Sequence, residues 1–332
     1  MSKFETIPVP TVDFVRWAAD QAYQRRMVHE LDDSLRDTGM FLITGHGVPP
    51  ELTASLRSLG RSFFRLPDER KAGYAVRRPY DNGWRGLGLL AASAADGAGG
   101  VPDLHEAFHA GPTHRTGDAE FDDLYYPRNR WPSEIPGLET VMTAYTGHMV
   151  RVAFQVLSML ATVLDIPEGF FTMQAQRATW TQNVNWYPSL GTVGAVRQGQ
   201  MRVGPHSDFG TLSLLDRQPG VGGLEVWSER HGWGRPGYDP RSLAVVLGDL
   251  MNLWTDGRWR ALRHRVLPPS SLAPDEELVS LVFFFEADPD AVLTPLPPPV
   301  GGGCGHEPVV AGESILRKVG ITLDKSRQVP AS

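Results

Sequence analysis

The sequence predicts a mainly β fold with α-helical decoration, in which a β-sandwich or jelly-roll barrel follows a helical N-terminal region. From Thr179 onward, short β-rich runs alternate with turn signals, a pattern typical of antiparallel strands. Before position 176, helical apolar spacing dominates. Repeated short strands at this spacing indicate a sandwich or jelly-roll barrel rather than a parallel α/β sheet.

The N-terminal region combines helices with one short strand. Apolar spacing predicts a helix over Gln21 to Arg36, a strand over Met40 to Thr44 and a second helix over Glu51 to Phe64. Residues 77–129 are rich in Gly, Ala, Pro and Asp, so irregular loops with a few short strands are expected there. Residues 134–164 predict one long helix or two short ones that pack on the following sheet.

Five β-rich runs make up the predicted barrel. They are Thr181 to Tyr187, Thr211 to Leu215, Gly223 to Trp227, Leu243 to Leu247 and Leu278 to Glu286. Between two of them, Asp256-Gly257 has the composition of a tight hairpin turn, so a hairpin is predicted there.

The C-terminal part predicts a flexible connection over residues 297–305, which are rich in Pro and Gly, followed by a short helix at residues 312–318. We expect one domain over residues 1–332. It divides into an N-terminal helical and strand region (1–175), the β core (176–300) and a C-terminal tail (301–332).

Composition narrows the classes of function. A net charge of -6 and a pI near 5.9, without a concentrated run of Lys and Arg, argue against a nucleic-acid partner and favour a small-molecule substrate. The stretch Met149 to Leu164 is too short and too polar for a membrane span, and residues 1–10 lack the apolar segment of a signal peptide. The single cysteine, Cys304, excludes an intramolecular disulfide and a thiolate-rich metal site, and favours a cytoplasmic location. The sequence makes no prediction of oligomeric state.

A group of metal-binding residue types lies within the β region. His206 and Asp208 are two positions apart, so on a strand both side chains would project from the same face. A third ligand must come from another strand, as His264 could. Two imidazoles and a carboxylate on one side of an octahedron leave three positions open, which suits an iron(II) centre that binds a chelating ligand and dioxygen together. A bare His-x-Asp pair is weak support, and this ligand set alone does not exclude zinc.

The surrounding segments resemble the isopenicillin N synthase-like and 2-oxoglutarate-dependent dioxygenase superfamily over nearly the whole chain. The matching segments are Gly39 to Pro49, Asn185 to Pro188, the segments around His206 and His264, Gly222 to Val226, Leu247 to Asp249, Trp254 to Arg258 and Ser280 to Ala291. The resemblance implies a distorted double-stranded β-helix, a cupin-like jelly-roll, with iron held by His206, Asp208 and His264. It also implies a 2-oxoglutarate- and dioxygen-dependent oxidation of a small molecule by hydroxylation, desaturation or ring closure, as in natural-product biosynthesis.

The cosubstrate site departs from the family pattern. Members usually have an Arg two residues before a Ser on a late strand, where the pair binds the far carboxylate of 2-oxoglutarate; here Ser280 is present and Leu278 replaces the Arg. Strand alternation points Leu278 inward with Ser280. Asn185 and Tyr187 match positions that often help to bind the cosubstrate.

Leu278 leaves three hypotheses open. Another cation reaches the pocket, with Arg202, Arg260 and Arg263 as candidates, or the enzyme is a 2-oxoglutarate-independent oxidase of the isopenicillin N synthase type. A non-catalytic ligand-binding protein on the same fold is the third, although such a protein has no chemical reason to keep the His-Asp-His group.

Other residues receive weaker predictions. Trp186 and Phe209 neighbour site residues in sequence and are the predicted substrate contacts. His46 is predicted to be structural. Glu106 matches a structural position of the family, and the flanking His105 and His109 are candidates for lining the substrate entrance rather than a second metal site. No catalytic residue beyond the metal ligands is predicted.

Overall fold

The computed structural model of the chain describes residues 5–96 and 101–322. Its α-helices are α1 Phe14–Ala19, α2 Gln21–Asp37, α3 Pro50–Phe64, α4 Asp68–Lys71, α5 Ala119–Tyr125, α6 Leu138–Val163, α7 Leu190–Val193, α8 Asp249–Trp254 and α9 Ala311–Thr322. Short 3-10 helices lie at Ala72–Tyr74, Ala92–Asp96 and Thr172–Gln174. No helix in these two stretches has the length and apolar character that crossing a membrane requires.

The strands form two main sheets and a small ribbon. The strands are β1 Thr6–Ile7, β2 Thr11–Asp13, β3 Met40–Thr44, β4 Gly83–Arg85, β5 Glu106–Ala110, β6 Trp180–Tyr187, β7 Val203–His206, β8 Leu212–Asp216, β9 Leu224–Ser228, β10 Gly232–Pro236, β11 Leu243–Leu247, β12 His264–Val266, β13 Leu278–Phe285, β14 Val292–Leu293 and β15 Val309–Val310. The large sheet has the order β2-β3-β11-β8-β13-β6-β5-β4, the small sheet has the order β1-β10-β9-β12-β7, and β14 pairs with β15.

The large sheet receives strands from both parts of the chain. The β-core strands β11, β8, β13 and β6 form its centre, while β2 and β3 extend one edge and β4 and β5 the other. The N-terminal region therefore contributes to the same sheet that carries the cosubstrate residues. Within it, β13 pairs with β6 on one side and β8 on the other, so the alternate side chains of β13 that point inward lie at the middle of the inner face.

Strand alternation divides the large sheet into two faces. Phe283, Leu214 and Val245 belong to the main hydrophobic cluster, which also contains the buried faces of α2, α3 and α6. Their sequence neighbours Val282 and Leu215 belong to a different apolar cluster, on the inner face. Phe283 is fully buried, and burial of a side chain of this size contributes roughly 1.5–3 kcal/mol. Helices therefore cover the outer face and leave the inner face for the site.

The predicted helices and most strands are confirmed. The helix predicted from Gln21 is α2, whose N-terminus is capped by the Asp20 carboxylate through the N–H groups of Ala22 and Tyr23. The region at 134–164 contains one long helix, α6. Residues 77–129 contain β4 and β5 as expected, together with the short helix α5.

The hairpin predicted at Asp256-Gly257 is wrong. These residues follow the C-terminus of α8, and both have left-handed backbone conformations, with φ of 49° and 78°. An Asp-Gly pair supplies the positive φ that a type I′ hairpin needs, but the same conformations also end a helix. The dipeptide therefore identified a turn without identifying the elements that it joins.

Candidate active site

Two neighbouring strands of the small sheet bring the predicted metal ligands together. β7 and β12 are antiparallel, and His206 lies directly opposite His264, with ring centroids 4.2 Å apart. Asp208 follows the end of β7 by two residues. One ligand atom from each of these three side chains lies within 4.8 Å of the others. The convergence predicted from sequence is thus present in the fold.

Backbone carbonyls orient both imidazoles. His206 Nδ1 lies 2.9 Å from the carbonyl oxygen of Gly204, and His264 Nδ1 lies 3.2 Å from that of Leu262. Because a carbonyl oxygen can only accept, each Nδ1 donates, and the Nε2 atoms are left to face the centre. They lie 3.6 and 3.8 Å from Asp208 Oδ1. This is the tautomer that a metal-binding histidine needs.

Asp208 is held as an ionised carboxylate. Ser213 on β8 donates a hydrogen bond of 2.5 Å to Asp208 Oδ2, leaving Oδ1 toward the imidazoles. Burial alone would raise the pKa of Asp208, but the positive charges that His264 and His206 carry when protonated and the hydrogen bond from Ser213 lower it to about 2. Burial and the neighbouring His206 lower the pKa of His264 to about 4. A neutral imidazole and a carboxylate are the forms that coordinate a metal.

The donor set fits iron(II). Two imidazole nitrogens and one carboxylate oxygen face a common point, and the Nε2 atoms of the histidines carry no proton in the tautomer set by the backbone. Such a facial set leaves coordination positions open for further ligands.

The open side of this group faces a cavity of about 330 Å³ between the two sheets, called the central cavity below. Its walls include Val203 and Val266 from the small sheet and Val282 and Phe284 from the large sheet. Helix α9 closes one side, since Ile315, Leu316 and Val319 also line the cavity. A volume of this size suits a small organic molecule.

Comparisons with known proteins match this geometry. Residues 181–287 match a family model described as the 2OG-Fe(II) oxygenase superfamily, and residues 9–134 match one described as non-haem dioxygenase in morphine synthesis N-terminal. Validamycin A dioxygenase of Streptomyces hygroscopicus subsp. limoneus is 60% identical over 93% of this chain and 85% of the relative. The chain belongs to the 2OG-Fe(II) oxygenase superfamily.

Two further similarities support this membership. The 2-oxoglutarate-Fe(II) type oxidoreductase hxnY of Emericella nidulans is 31% identical over 87% of this chain and 82% of the relative. Among solved structures, a full-length Neurospora crassa protein in complex with alpha-KG has a TM-score of 0.81 at 19% identity, covering 94% of this chain and 96% of that one. At that identity the structural likeness concerns the fold, a double-stranded β-helix.

This 2OG-Fe(II) oxygenase is therefore an iron(II)- and 2-oxoglutarate-dependent dioxygenase that acts on a small molecule. The predictions of superfamily, fold, enzyme class and cofactors are confirmed. The comparisons give no support to the 2-oxoglutarate-independent oxidase or to a non-catalytic binding protein.

The four predicted cosubstrate residues lie together on the inner face of the large sheet. Leu278 pairs with Tyr187 and Ser280 with Asn185, and all four line the central cavity. Burial raises the pKa of the Tyr187 hydroxyl, and the nearby side chains of Asn185 and Ser280 partly offset that rise. Leu278 packs with Tyr187, Val203 and Val266. The wall at the usual position of the Arg is therefore apolar, as expected from the sequence.

The three cations proposed from sequence do not line the central cavity. Arg202 is fully buried but pairs with Glu276 at 2.7 Å and donates to nearby backbone carbonyls. Arg260 pairs with Glu229, and the Arg263 guanidinium lies 5.7 Å from the ring of Trp233. Arg260 and Arg263 line a separate surface pocket. The charge of Arg202 lies close enough to Tyr187 to lower the pKa of that hydroxyl, but its guanidinium is already paired with Glu276.

Only one of the two predicted substrate contacts lies in the cavity wall. Phe209 lines the central cavity. Trp186 does not, and that prediction is wrong: the indole stacks on Phe64 of α3 with ring centroids 5.7 Å apart, on the outer face of the sheet. Because Asn185 and Tyr187 face inward, the residue between them must face the helices. Alternation alone could have excluded Trp186.

Several cavity residues were missed by sequence reasoning. Arg85, Arg217, Asp103 and Glu286 all line the central cavity. Burial raises the pKa of Asp103 to about 6 and that of Glu286 to about 8, so buried acidic side chains surround the metal group. Side-chain alternation along the strand, from Ser213 through Leu215, predicts that Arg217 faces inward. Arg85 gave no such signal, because its short strand was not predicted.

The histidines that flank Glu106 are placed as cavity residues. Glu106 binds the Lys71 ammonium at 2.8 Å and accepts a hydrogen bond from Trp84 on the outer side of β5, a structural arrangement. His105 and His109 face inward and line the central cavity. His46 contacts the backbone of Arg241 and does not belong to the metal group of the described residues.

Proposed function

We propose that this protein oxidises validamycin A or a close structural relative of it, with iron(II), 2-oxoglutarate and dioxygen. The observation that carries the proposal is the 60% identity to Validamycin A dioxygenase, which extends over 93% of the chain rather than over the iron site alone. An identity this high and this extended is expected to include many of the residues that shape a substrate pocket. A role in natural-product biosynthesis follows from the same relationship.

The geometry of the group supports the roles that we propose at the metal. His206, Asp208 and His264 are the proposed iron ligands, and Ser213 fixes the orientation of the Asp208 carboxylate. When bound, iron(II) and 2-oxoglutarate supply an oxidant from dioxygen, with release of succinate and carbon dioxide. The protein residues orient both molecules beside the substrate and exclude bulk water.

Unpartnered polar atoms in the cavity wall support a hydroxyl-bearing substrate. Arg85 Nε donates to His109 Nδ1 at 3.2 Å, so Nδ1 accepts and the proton of the neutral imidazole lies on Nε2. Burial lowers the pKa of His109 well below its ordinary value, which keeps the ring neutral. Within the described residues, His109 Nε2 and the neighbouring Asn183 Oδ1 are buried without a hydrogen-bond partner.

A buried polar atom without a partner costs roughly 1–3 kcal/mol, so a ligand that satisfies it binds more tightly. His109 Nε2 offers a donor and Asn183 Oδ1 an acceptor, on adjacent strands of one wall. A hydroxyl group can serve both. We propose that this wall holds substrate hydroxyl groups, with Phe209 supplying an apolar contact nearer the iron.

The function is tested by supplying the iron-loaded enzyme with 2-oxoglutarate, oxygen and validamycin A. We expect succinate and a product whose mass differs from that of the substrate by one added oxygen for hydroxylation, or by two lost hydrogens for desaturation or ring closure. Substrate that stays unchanged while a different natural product is oxidised in the same assay would overturn the substrate assignment.

We also propose a cytoplasmic location, in keeping with a single cysteine.

The polar wall is tested separately with His109→Phe. The KM for the substrate should rise about tenfold, as expected for loss of a buried hydrogen bond to a substrate group, while the affinity for 2-oxoglutarate should not change. His46→Phe, which alters a histidine outside the cavity, is the matched control. An unchanged substrate KM in His109→Phe would contradict this role.

A further inference from the structure

The far carboxylate of 2-oxoglutarate needs a cation, because an ionised group buried without a partner costs several kcal/mol. Leu278 cannot supply one. In the described part of the chain, two cationic side chains of Arg or Lys line the central cavity, Arg85 and Arg217. Of these two, the one that lies nearer to Ser280 is the candidate partner of the cosubstrate carboxylate.

Strand register places Arg217 beside Ser280. On the large sheet, Leu281 of β13 pairs with Asp216 of β8, so the next position brings Arg217 opposite Ser280. The Gln218 side chain accepts a hydrogen bond from the N–H of Val279 at 2.8 Å, which shows that the two segments stay adjacent beyond the strand end. Neighbouring strands lie about 4.8 Å apart. Arg217 and Ser280 are therefore near neighbours.

Arg85 lies farther away on the same sheet. It pairs with Ala107, which pairs with Asn185, which in turn pairs with Ser280. Three strand spacings put the two backbones roughly 14 Å apart. Arg85 also donates to His109 and to the carbonyl oxygen of Pro79, which ties it to the polar wall.

The Arg217 side chain faces into the barrel. Ser213, whose hydroxyl binds Asp208, and Leu215, which lines the cavity, precede it at alternate positions of one strand. Its guanidinium reaches toward the small sheet, where Nη2 donates to the carbonyl oxygen of Gly237 and the group lies 5.2 Å from the Tyr238 ring. Within residues 5–96 and 101–322, no carboxylate forms an ion pair with Arg217, and its Nε and Nη1 have no hydrogen-bond partner.

Arg217 thus differs from the buried Arg202, which Glu276 already neutralises. Burial lowers the pKa of the Arg217 guanidinium, as expected for a cation that lacks a counter-ion. An anion bound beside Ser280 would supply that counter-ion and use the remaining donors. Arg pairs well with a carboxylate because its donors match both oxygens.

We propose that Arg217 binds the far carboxylate of 2-oxoglutarate together with Ser280 and Tyr187, and replaces the cation that Leu278 removes from β13. The inference deepens the proposed function and rests on the use of 2-oxoglutarate by this enzyme. The cation has moved to the position that directly follows the neighbouring strand β8, while the hydroxyl groups of the site stay in place.

The test compares 2-oxoglutarate with 2-oxopentanoate, which has the same chain length and the same chelating end but lacks the far carboxylate. Both are titrated anaerobically into the iron(II)-loaded enzyme, and binding is followed by the visible charge-transfer absorption of a 2-oxo acid chelated to iron(II). No substrate is present, so the result is independent of the validamycin assignment. In the unmodified enzyme, 2-oxoglutarate should bind about 100-fold more tightly than 2-oxopentanoate.

In Arg217→Met, the affinity for 2-oxoglutarate should fall about 100-fold while that for 2-oxopentanoate stays within about threefold. Retained binding of 2-oxopentanoate shows that the variant is folded and holds iron. Arg85→Met is the matched control and should keep the preference for 2-oxoglutarate. Should Arg217→Met fail to fold, Arg217→Gln is measured in the same way, with the same expected loss of preference.

Two results would overturn the inference. One is equal affinity of the unmodified enzyme for the two acids, which would mean that no cation recognises the far carboxylate. The other is a loss of preference in Arg85→Met but not in the Arg217 variants, which would assign the carboxylate to the opposite edge of the cavity. Neither result would bear on whether the enzyme oxidises validamycin A.

Discussion

The two ends of the central cavity differ in how they relate to the family pattern. At the metal end, His206, Asp208 and His264 keep the expected residue types and converge on one point. At the cosubstrate end, Ser280 is present, but Leu278 stands where the family usually has an Arg. Arg217 lies beside Ser280, directly after the neighbouring strand β8. A metal requires donor atoms in a fixed arrangement, whereas a carboxylate accepts a guanidinium from any strand that faces it. Sequence position is therefore a better guide to the metal ligands than to the cation.

The largest expected effect lies at the metal end, where His206, Asp208 and His264 form the metal-binding group of the described residues. His264→Ala removes one of three protein ligands, so the affinity for iron(II) should fall more than about 100-fold, beyond the usual effect of losing a supporting residue. Oxygen-dependent decarboxylation of 2-oxoglutarate should fall to background. Iron bound per chain is measured with a colorimetric chelator. His46→Ala is the control, and iron content equal in both variants would contradict the ligand assignment.

A smaller effect is expected from the residue that orients Asp208. Ser213→Ala removes the 2.5 Å hydrogen bond to Asp208 Oδ2 without removing a ligand. Iron affinity should fall roughly 10- to 100-fold, as is typical for residues that support a metal ligand. Ser228→Ala removes a similar buried bond to Asp37, neither residue being in the metal group, and serves as the matched control. If the two variants bind iron equally well, Ser213 has no part in orienting the ligand.

The cosubstrate end should tolerate relocation of its cation. In the double variant Arg217→Met/Leu278→Arg, the guanidinium returns to β13, next to Ser280 and Tyr187. Affinity for 2-oxoglutarate should rise about tenfold above that of Arg217→Met alone, since part of the lost ion pair is restored. Anaerobic titration measures it. An identical gain in affinity for 2-oxopentanoate would show that the new side chain acts on something other than the far carboxylate.

The smallest effects are expected at Trp186 and Phe209, where a stability change should distinguish the first residue and a change in substrate KM the second. Trp186→Phe should lower the free energy of unfolding by about 1–2 kcal/mol, because the stacked indole on Phe64 is replaced by a smaller ring. Its substrate KM should stay within about twofold. Phe209→Ala should raise the substrate KM several-fold, because that ring lines the cavity. Thermal unfolding and steady-state kinetics measure both, and a raised KM in Trp186→Phe would restore it as a substrate contact.

The sequence predicted what depends on local periodicity. The helix at Gln21–Asp37, the strand at Leu278–Phe285 and the inward orientation of Leu278 all follow from spacing within one segment. Trp186 was predicted to contact the substrate because it neighbours site residues along the chain, whereas strand alternation points its side chain to the outer face. At Asp256, the turn was predicted correctly, but the same backbone conformations serve a hairpin and a helix end.

Arg217 could not be predicted in the same way, because its role depends on which strands pair. Its side-chain direction follows from alternation along β8, but its position beside Ser280 requires the pairing of β8 with β13, which joins residues more than 60 positions apart. The three cations chosen from sequence lie near His206 or His264 along the chain. Proximity along the chain did not correspond to proximity on the inner face of the sheet.

The most direct measurement is an anaerobic crystal structure of the enzyme with iron(II) and 2-oxoglutarate bound. With the 2-oxo acid chelated at the His206, Asp208 and His264 centre, the far carboxylate should lie within hydrogen-bond distance, about 2.7–3.2 Å, of the Arg217 guanidinium and near Ser280. A far carboxylate in contact with Arg85, or with no guanidinium at all, would contradict the account.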